Sequence, residues 1–181
     1  MGKTPRKTFE TLIQPHLDSL YRAAYRLTGN SLDAEDLVQD VCLRAYLRLS
    51  ELRELDYPRG WLMKVQYRLF VDGSRHRDRS PIRPMSEGMD SLMVSPDPGP
   101  EDLADGSLAG QRLQEAWKSL GKDQRALLVL QVEGYTLAEM EQITELPINA
   151  IKARLYRARV RLGKLLAKDT SLLPRLSKVE T

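Results

Sequence analysis

From Phe9 onward, apolar residues return every third or fourth position: Phe9, Leu12, Ile13, Leu17, Leu20, Ala24 and Leu27. That spacing is one face of an amphipathic helix, and Gly29-Asn30 stops it. Ser31 or Asp33 is suited to cap a second helix, with Glu35 and Asp36 at its positive end. Its apolar face, Ala34, Leu37, Val38, Val41, Ala45 and Leu49, predicts a helix running to about Leu49. A third helix is expected to start near Pro58, a residue favoured in the first turn. It carries Trp61, Leu62, Val65, Leu69 and Phe70, then turns basic at Arg75, Arg77 and Arg79.

Between Ser80 and about Ser107 the periodicity lapses, and Pro81, Pro84, Pro96, Pro98 and Pro100 predict a mostly extended tether. Helical spacing resumes with Leu108, Leu113, Ala116, Trp117 and Leu120, and Gly121 ends that stretch. Asp123 is placed to cap the next helix, which holds Ala126, Leu127, Val129, Leu130 and Val132 and closes at Gly134. Two more helices are expected over about 136–144 and 148–167. No strand-like alternation and no internal repeat occurs. The pattern therefore predicts an all-α chain of two small helical domains, 1–79 and 108–168. A flexible Pro-rich linker, 80–107, joins them, and a C-terminal tail, 169–181, follows.

The last two helices carry the chemistry. Glu139 lies three residues after Thr136, the spacing of a capping box. Thr144-Glu145-Leu146-Pro147 then makes a short turn into a long helix, which is the spacing of a helix-turn-helix. In the second helix Ile148, Ile151, Leu155, Ala158, Leu162 and Leu165 form the stripe to be buried. Arg154, Arg157, Arg161 and Lys164 fall on one shoulder, Lys152 and Arg159 on the other. Asn149, Ala153 and Tyr156 lie between them, and no acid occurs from Ile148 to Ala167. Basic shoulders beside a small outer face suit a helix in a major groove, the shoulders on phosphates and the outer face on base edges. Asn149, Lys152, Ala153 and Tyr156 are the candidates to read sequence. A solvated basic helix docking an acidic protein is the alternative.

Charge sharpens this picture. The 181-residue chain has a net charge of only +3, but the charge is blocked. Residues 1–80 hold 14 Lys/Arg and 11 Asp/Glu, residues 81–110 one and six, and residues 111–168 eleven and six. Two basic blocks flanking an acidic middle suit a polyanion partner. Composition excludes other classes. No run approaches the ~20 apolar residues of a membrane span, and the first ten residues lack the apolar core of a secretory signal. Cys42 is the single cysteine, so an internal disulfide is excluded and a cytoplasmic location fits. One cysteine with two separated histidines offers no zinc spacing. With no Gly-rich phosphate loop, and His16 and His76 lacking evident catalytic partners, neither an enzyme nor a cofactor or metal site is expected.

These residues together resemble the extracytoplasmic-function sigma factors of the sigma-70 class over about 9–79 and 108–166. The closest stretch is Leu27-Thr28-Gly29-Asn30 followed by Asp33-Ala34-Glu35-Asp36-Leu37-Val38-Gln39-Asp40-Val41 and Leu43-Arg44-Ala45-Tyr46, similar to family regions 2.1–2.2. Gly60-Trp61-Leu62 with Asp72 and Arg75 is similar to regions 2.3–2.4. Leu113-Gln114-Glu115-Ala116, Leu120, Gln124-Arg125, Glu133-Gly134 and Arg154-Leu155-Tyr156-Arg157-Ala158-Arg159 resemble region 4.

The resemblance implies a subunit of RNA polymerase that directs promoter recognition and initiation. Asp36, Gln39, Asp40 and Arg44, off the apolar face, would dock on the β′ clamp helices of core polymerase. Lys64, Arg68, Arg75, Arg77 and Arg79 would hold the backbone at the −10 element, with Tyr67 stacking on an unpaired base. Trp61 belongs with the core. Asn149, Lys152, Ala153, Arg154, Tyr156, Arg157, Arg159 and Arg161 would bind the −35 element, and this region would touch the β flap. An anti-sigma factor is an expected partner. The chain departs from the family pattern in five places. Arg68 stands where the family usually has Asn, Glu141 where it has a small Ala, and Glu145 where it has Gly. Ala150 and Ala153 replace Thr and Ser. Glu141 would be awkward if its position packed against the second helix. These departures motivate a second reading, a sigma-like decoy that binds an anti-sigma factor or polymerase without opening promoters. A third reading, a helix-turn-helix repressor, predicts dimers on palindromic operators without polymerase.

Overall fold

A computed structural model describes residues 5–73 and 108–166 of the chain. The expected linker 80–107, the arginines Arg75, Arg77 and Arg79, and the tail 169–181 lie outside the described residues. Eight helices make up the described part: α1 (Pro5–Thr28), α2 (Ser31–Leu47), α3 (Leu49–Arg53), α4 (Pro58–Asp72), α5 (Leu108–Ser119), α6 (Lys122–Val132), α7 (Leu137–Thr144) and α8 (Ile148–Leu166). No strand occurs among them, and no helix among the described residues is long and apolar enough to cross a membrane.

The first three long helices form one bundle because their apolar faces match. α1 brings Ile13, Leu20, Ala23 and Leu27 against Ala34, Val38, Val41 and Cys42 of α2, with Leu62 and Met63 of α4 closing the core. Each large side chain so buried contributes about 2 kcal/mol. Gln66 is buried in this apolar setting, and its Nε2 donates to the Leu20 carbonyl at 3.0 Å, tying α4 to α1. In the second half, α6 supplies Leu127, Leu128 and Val129, and α7 and α8 supply Met140, Ile143, Ile151, Leu155 and Ala158. The five predicted core positions of α6 thus include four that are buried, while Val132 is exposed.

The ends of the helices adjust several expectations. Gly29 takes a positive φ of 80° and ends α1. The N-cap of α2 is then Asn30, not Ser31 or Asp33: its side-chain oxygen accepts from the Asp33 amide at 2.8 Å. An amide one residue earlier wins because Asn30 already sits in extended backbone, the conformation a cap requires. The second helix ends at Leu47 rather than Leu49. At Arg48 the chain bends and restarts as α3, which buries Leu52 fully. Gly121, not Asp123, caps α6; its amide donates to Gln124 Oε1 at 3.2 Å. Pro58 begins α4 as expected.

The two halves lie against each other. α1 packs on α6, and α4 packs on both α6 and α7. Buried residues from both halves form one continuous cluster. Polar contacts rim it: Trp117 Nε1 donates to the Arg26 carbonyl at 2.9 Å, and Arg125 Nη1 donates to that of Leu27 at 3.3 Å.

Candidate nucleic-acid interface

The turn between α7 and α8 is built by local hydrogen bonds. Thr136 caps α7, its hydroxyl accepting from the Glu139 amide at 3.3 Å while Glu139 Oε2 accepts from the Thr136 amide at 2.8 Å. These bonds from Thr136, backbone first and hydroxyl second, hold the Glu139 carboxyl below its ordinary range. At the far end Glu145 takes φ 60°, ψ 21°, and its amide donates to the Glu141 carbonyl at 2.8 Å. This left-handed turn reverses the chain in three residues, a position that glycine fills at least cost. The Pro147 carbonyl then accepts from the amides of Ala150 and Ile151, starting α8.

Glu141 does not pack against α8. It is exposed, and its Oε1 accepts from the Ile148 amide at 3.1 Å. An anion there satisfies an amide of the first turn that has no partner within its helix and sits at the positive helix end. The expected clash is replaced by a side-chain cap.

α8 buries Ile151, Leu155, Ala158 and Leu166, with Leu162 half-buried against the core; Leu165, expected in the buried stripe, is 41% exposed because the helix turns Leu166 inward instead. Asn149, Lys152, Ala153, Tyr156, Arg157, Arg159 and Arg161 are exposed. Tyr156 is 69% exposed, a large ring with no burial of its own to account for it. Each shoulder has one arginine held by a neighbouring helix. Arg154 Nη1 pairs with Asp123 Oδ2 at 3.0 Å, and Arg159 Nη2 donates to Gln131 Oε1 at 2.7 Å. Both are anchored to α6. Arg157 Nε donates only within α8, to the Ala153 carbonyl at 3.2 Å. A shallow groove of about 380 Å³ runs along this face between Tyr156, Val160 and Leu165, flanked by Arg157, Arg161 and Lys164.

In the first half, Lys64 and Arg68 lie one turn apart on α4, and both reach Glu145. Lys64 Nζ lies 2.9 Å and Arg68 Nη2 2.6 Å from Glu145 Oε1. Hydrogen bonds from Lys64 and Arg68 hold the Glu145 carboxyl below the usual carboxylate range. Tyr67, expected to be open for stacking, is instead buried, 9% exposed. Burial raises its hydroxyl above the ordinary phenol range, with Asp123 of the second half and Asp72 adding to the rise and Arg154 opposing it. The side chain is a half-apolar ring in a packed seam, so in this arrangement it has no open face for a base. Trp61 is partly buried against the core, as expected.

On α2, Asp36, Asp40 and Arg44 are exposed and Gln39 is half-buried, all off the buried face formed by Leu37, Val38 and Val41. Partial desolvation raises the Asp40 carboxyl, Arg44 opposing the rise and Asp36 adding to it. Among the described residues, no group of acids, histidines or cysteine is placed to hold a metal.

Several contacts between the halves had no mark in the sequence pattern. Arg26 pairs with Glu133, whose side chain is nearly buried. Arg59 Nη2 donates to the Glu133 carbonyl at 3.0 Å, and its guanidinium lies 4.7 Å from the centre of the Tyr135 ring. Tyr57 donates to Glu139 Oε1 at 3.1 Å. Lys122 and Arg125 both lie over Phe70.

Comparison with known proteins agrees with this geometry. The profile of Sigma-70 region 2 matches residues 12–80, and that of Sigma-70, region 4 matches residues 110–162. The ECF RNA polymerase sigma factor SigE of Mycolicibacterium smegmatis is 33% identical over 165 residues, spanning 91% of this chain. This chain covers 63% of that relative's length. The ECF RNA polymerase sigma factor SigW of Bacillus subtilis is 27% identical over 173 residues, 91% of each chain. Among solved structures, the sigma factor RpoE in complex with the anti-sigma factor NepR from Bartonella quintana superposes with a TM-score of 0.65 at 27% identity. It covers 90% of this chain and 99% of its own. CnrH in complex with the cytosolic domain of CnrY shares the fold, with a TM-score of 0.60 at 22% identity over 91% of this chain and 90% of its own.

Proposed function

This chain belongs to the extracytoplasmic-function RNA polymerase sigma factors of the sigma-70 class, and on that premise we propose that it binds core polymerase and directs it to promoters. The observation that carries the reading is α8: an acid-free basic helix, set by a left-handed turn, with Asn149, Lys152, Ala153 and Tyr156 outward between basic shoulders. In this reading residues 108–168 bind the −35 element. Arg154 and Arg159, held by α6, and the freer Arg157 and Arg161 meet phosphates. Residues 1–79 take the −10 element through Lys64 and Arg68, joined by Tyr67, Arg75, Arg77 and Arg79. Asp36, Gln39, Asp40 and Arg44 form the polar face for the clamp helices of β′. Residues 80–107 tether the two domains, and 169–181 form a tail. The protein acts in the cytoplasm and has no catalysis of its own, since the polymerase makes the RNA. An anti-sigma factor is its proposed regulator, in line with the complex with the anti-sigma factor NepR in which one structural neighbour is seen.

A second reading, the decoy, is favoured by one observation: Lys64 and Arg68 are occupied by Glu145. Selection of bound duplexes from random DNA separates the readings. Holoenzyme formed with this chain should enrich one bipartite sequence that core polymerase alone does not. Tight association with core but no enriched sequence supports the decoy instead. Enrichment of a palindrome by the chain alone would point to a repressor.

A further inference from the structure

We propose that the Glu145 carboxylate is an intramolecular stand-in for a nucleic-acid phosphate, latching the two halves together by occupying Lys64 and Arg68 until the halves separate. The inference rests on the reading of Lys64 and Arg68 as DNA-backbone contacts. Three independent observations support it.

The first is backbone geometry. Glu145 is the one non-glycine residue with positive φ among the described residues. A side chain there costs more than glycine would, yet the position carries a carboxylate, and that carboxylate is engaged. It has two partners, both on the other half of the molecule and both through the same oxygen. The second is the chemistry of the pair. Lys64 and Arg68 are one helical turn apart and converge on a single anionic oxygen, as cations converge on a phosphate. The third is the nature of the seam. It contains buried polar atoms with no hydrogen-bond partner in the protein: Arg59 Nε and Arg125 Nε. Water serves such atoms freely once the seam opens, which keeps the cost of opening low. The seam also buries Tyr67.

The latch sits at the rim, with the Glu145 and Arg68 side chains 60% and 51% exposed and Lys64 31%. Ion pairs this exposed are individually weak and are screened by salt. That suits a contact which yields to a stronger polyanion or to polymerase rather than a permanent weld. Opening frees both cations and uncovers Tyr67 in one step.

The test uses the full chain with donor and acceptor dyes on cysteines introduced at Glu51 and Glu115, both exposed. The native Cys42 is buried, with its thiol pushed up to about 11 by burial, and takes little dye. Glu145→Gly removes the carboxylate and fits the left-handed turn, so it leaves the helix-turn-helix folded. At low salt it should reduce energy transfer between the halves and tighten binding of a fluorescent oligo-dT by about threefold to tenfold, the scale of two exposed ion pairs. Glu145→Arg should open the chain in the same way. Combining it with Lys64→Glu and Arg68→Glu should restore transfer. Unchanged transfer in Glu145→Gly overturns the latch. Reduced transfer with no gain in oligo-dT binding overturns the phosphate stand-in. In that case equal binding by the Lys64→Ala and Arg68→Ala forms of the opened chain traces the failure to the DNA reading itself.

Discussion

Two carboxylates flank the turn of the helix-turn-helix, and each is placed by a different force. Glu141 caps α8 from the side by accepting the Ile148 amide. Glu145 ends α7 in a strained conformation and spends its charge on Lys64 and Arg68. Sequence alone gave both residues as departures from the family pattern, with no indication of what they touch. A side chain's partner depends on its rotamer and on a neighbour far along the chain, and neither is encoded locally. Thr136 is the opposite case. Its capping box with Glu139 is a matter of three residues and was fully legible. Thr136→Ala is expected to destabilise the protein by about 1 kcal/mol in urea denaturation followed by circular dichroism. The effect has a pH dependence of known sign. Because the folded Glu139 carboxyl titrates below its ordinary value, its bonds contribute fully above the carboxylate range. They are lost as pH falls through that lowered value. The difference between the two proteins should therefore shrink in acid. A difference that grows on acidification would contradict the assignment.

At the scale of elements, the periodicity of three and four located every long helix, because each buries one continuous face. It missed α3, since five residues contain barely one turn and present no stripe. Its Leu52, fully buried, reads in sequence as a loop residue. Helix starts were displaced by one to three residues, to Asn30 and Gly121, because backbone conformation and not capping ability alone sets where a helix begins. α8 was predicted almost to its last residue. Its arginines proved unequal: Arg154 and Arg159, one on each shoulder, are tied to α6, and Arg157 is not. Arg157→Ala should therefore remove a phosphate contact without loosening the helix. It should weaken duplex binding by holoenzyme uniformly across sequences and lower the slope of log affinity against log salt by about one. An unchanged slope would remove Arg157 from the DNA interface.

The whole molecule is where sequence reasoning reached least far. Patterning says which face of a helix is buried and is silent on what buries it. The seam between the halves joins Phe70 and Trp117, which patterning marks only as apolar, with Arg26, Arg59, Arg125 and Glu133, whose types fit a solvated surface as well as an interface. The burial of Tyr67 follows from that seam, so the proposed −10 surface is one that opening must expose rather than a standing platform. The basic groups proposed to face DNA on both halves serve one central claim, that this chain confers promoter-specific initiation on core polymerase. Run-off transcription on a promoter recovered from random DNA tests it most directly. Core polymerase with this chain should give a transcript of defined length, and core polymerase alone should give none. Tight assembly with core polymerase and no transcript from any recovered sequence would contradict it.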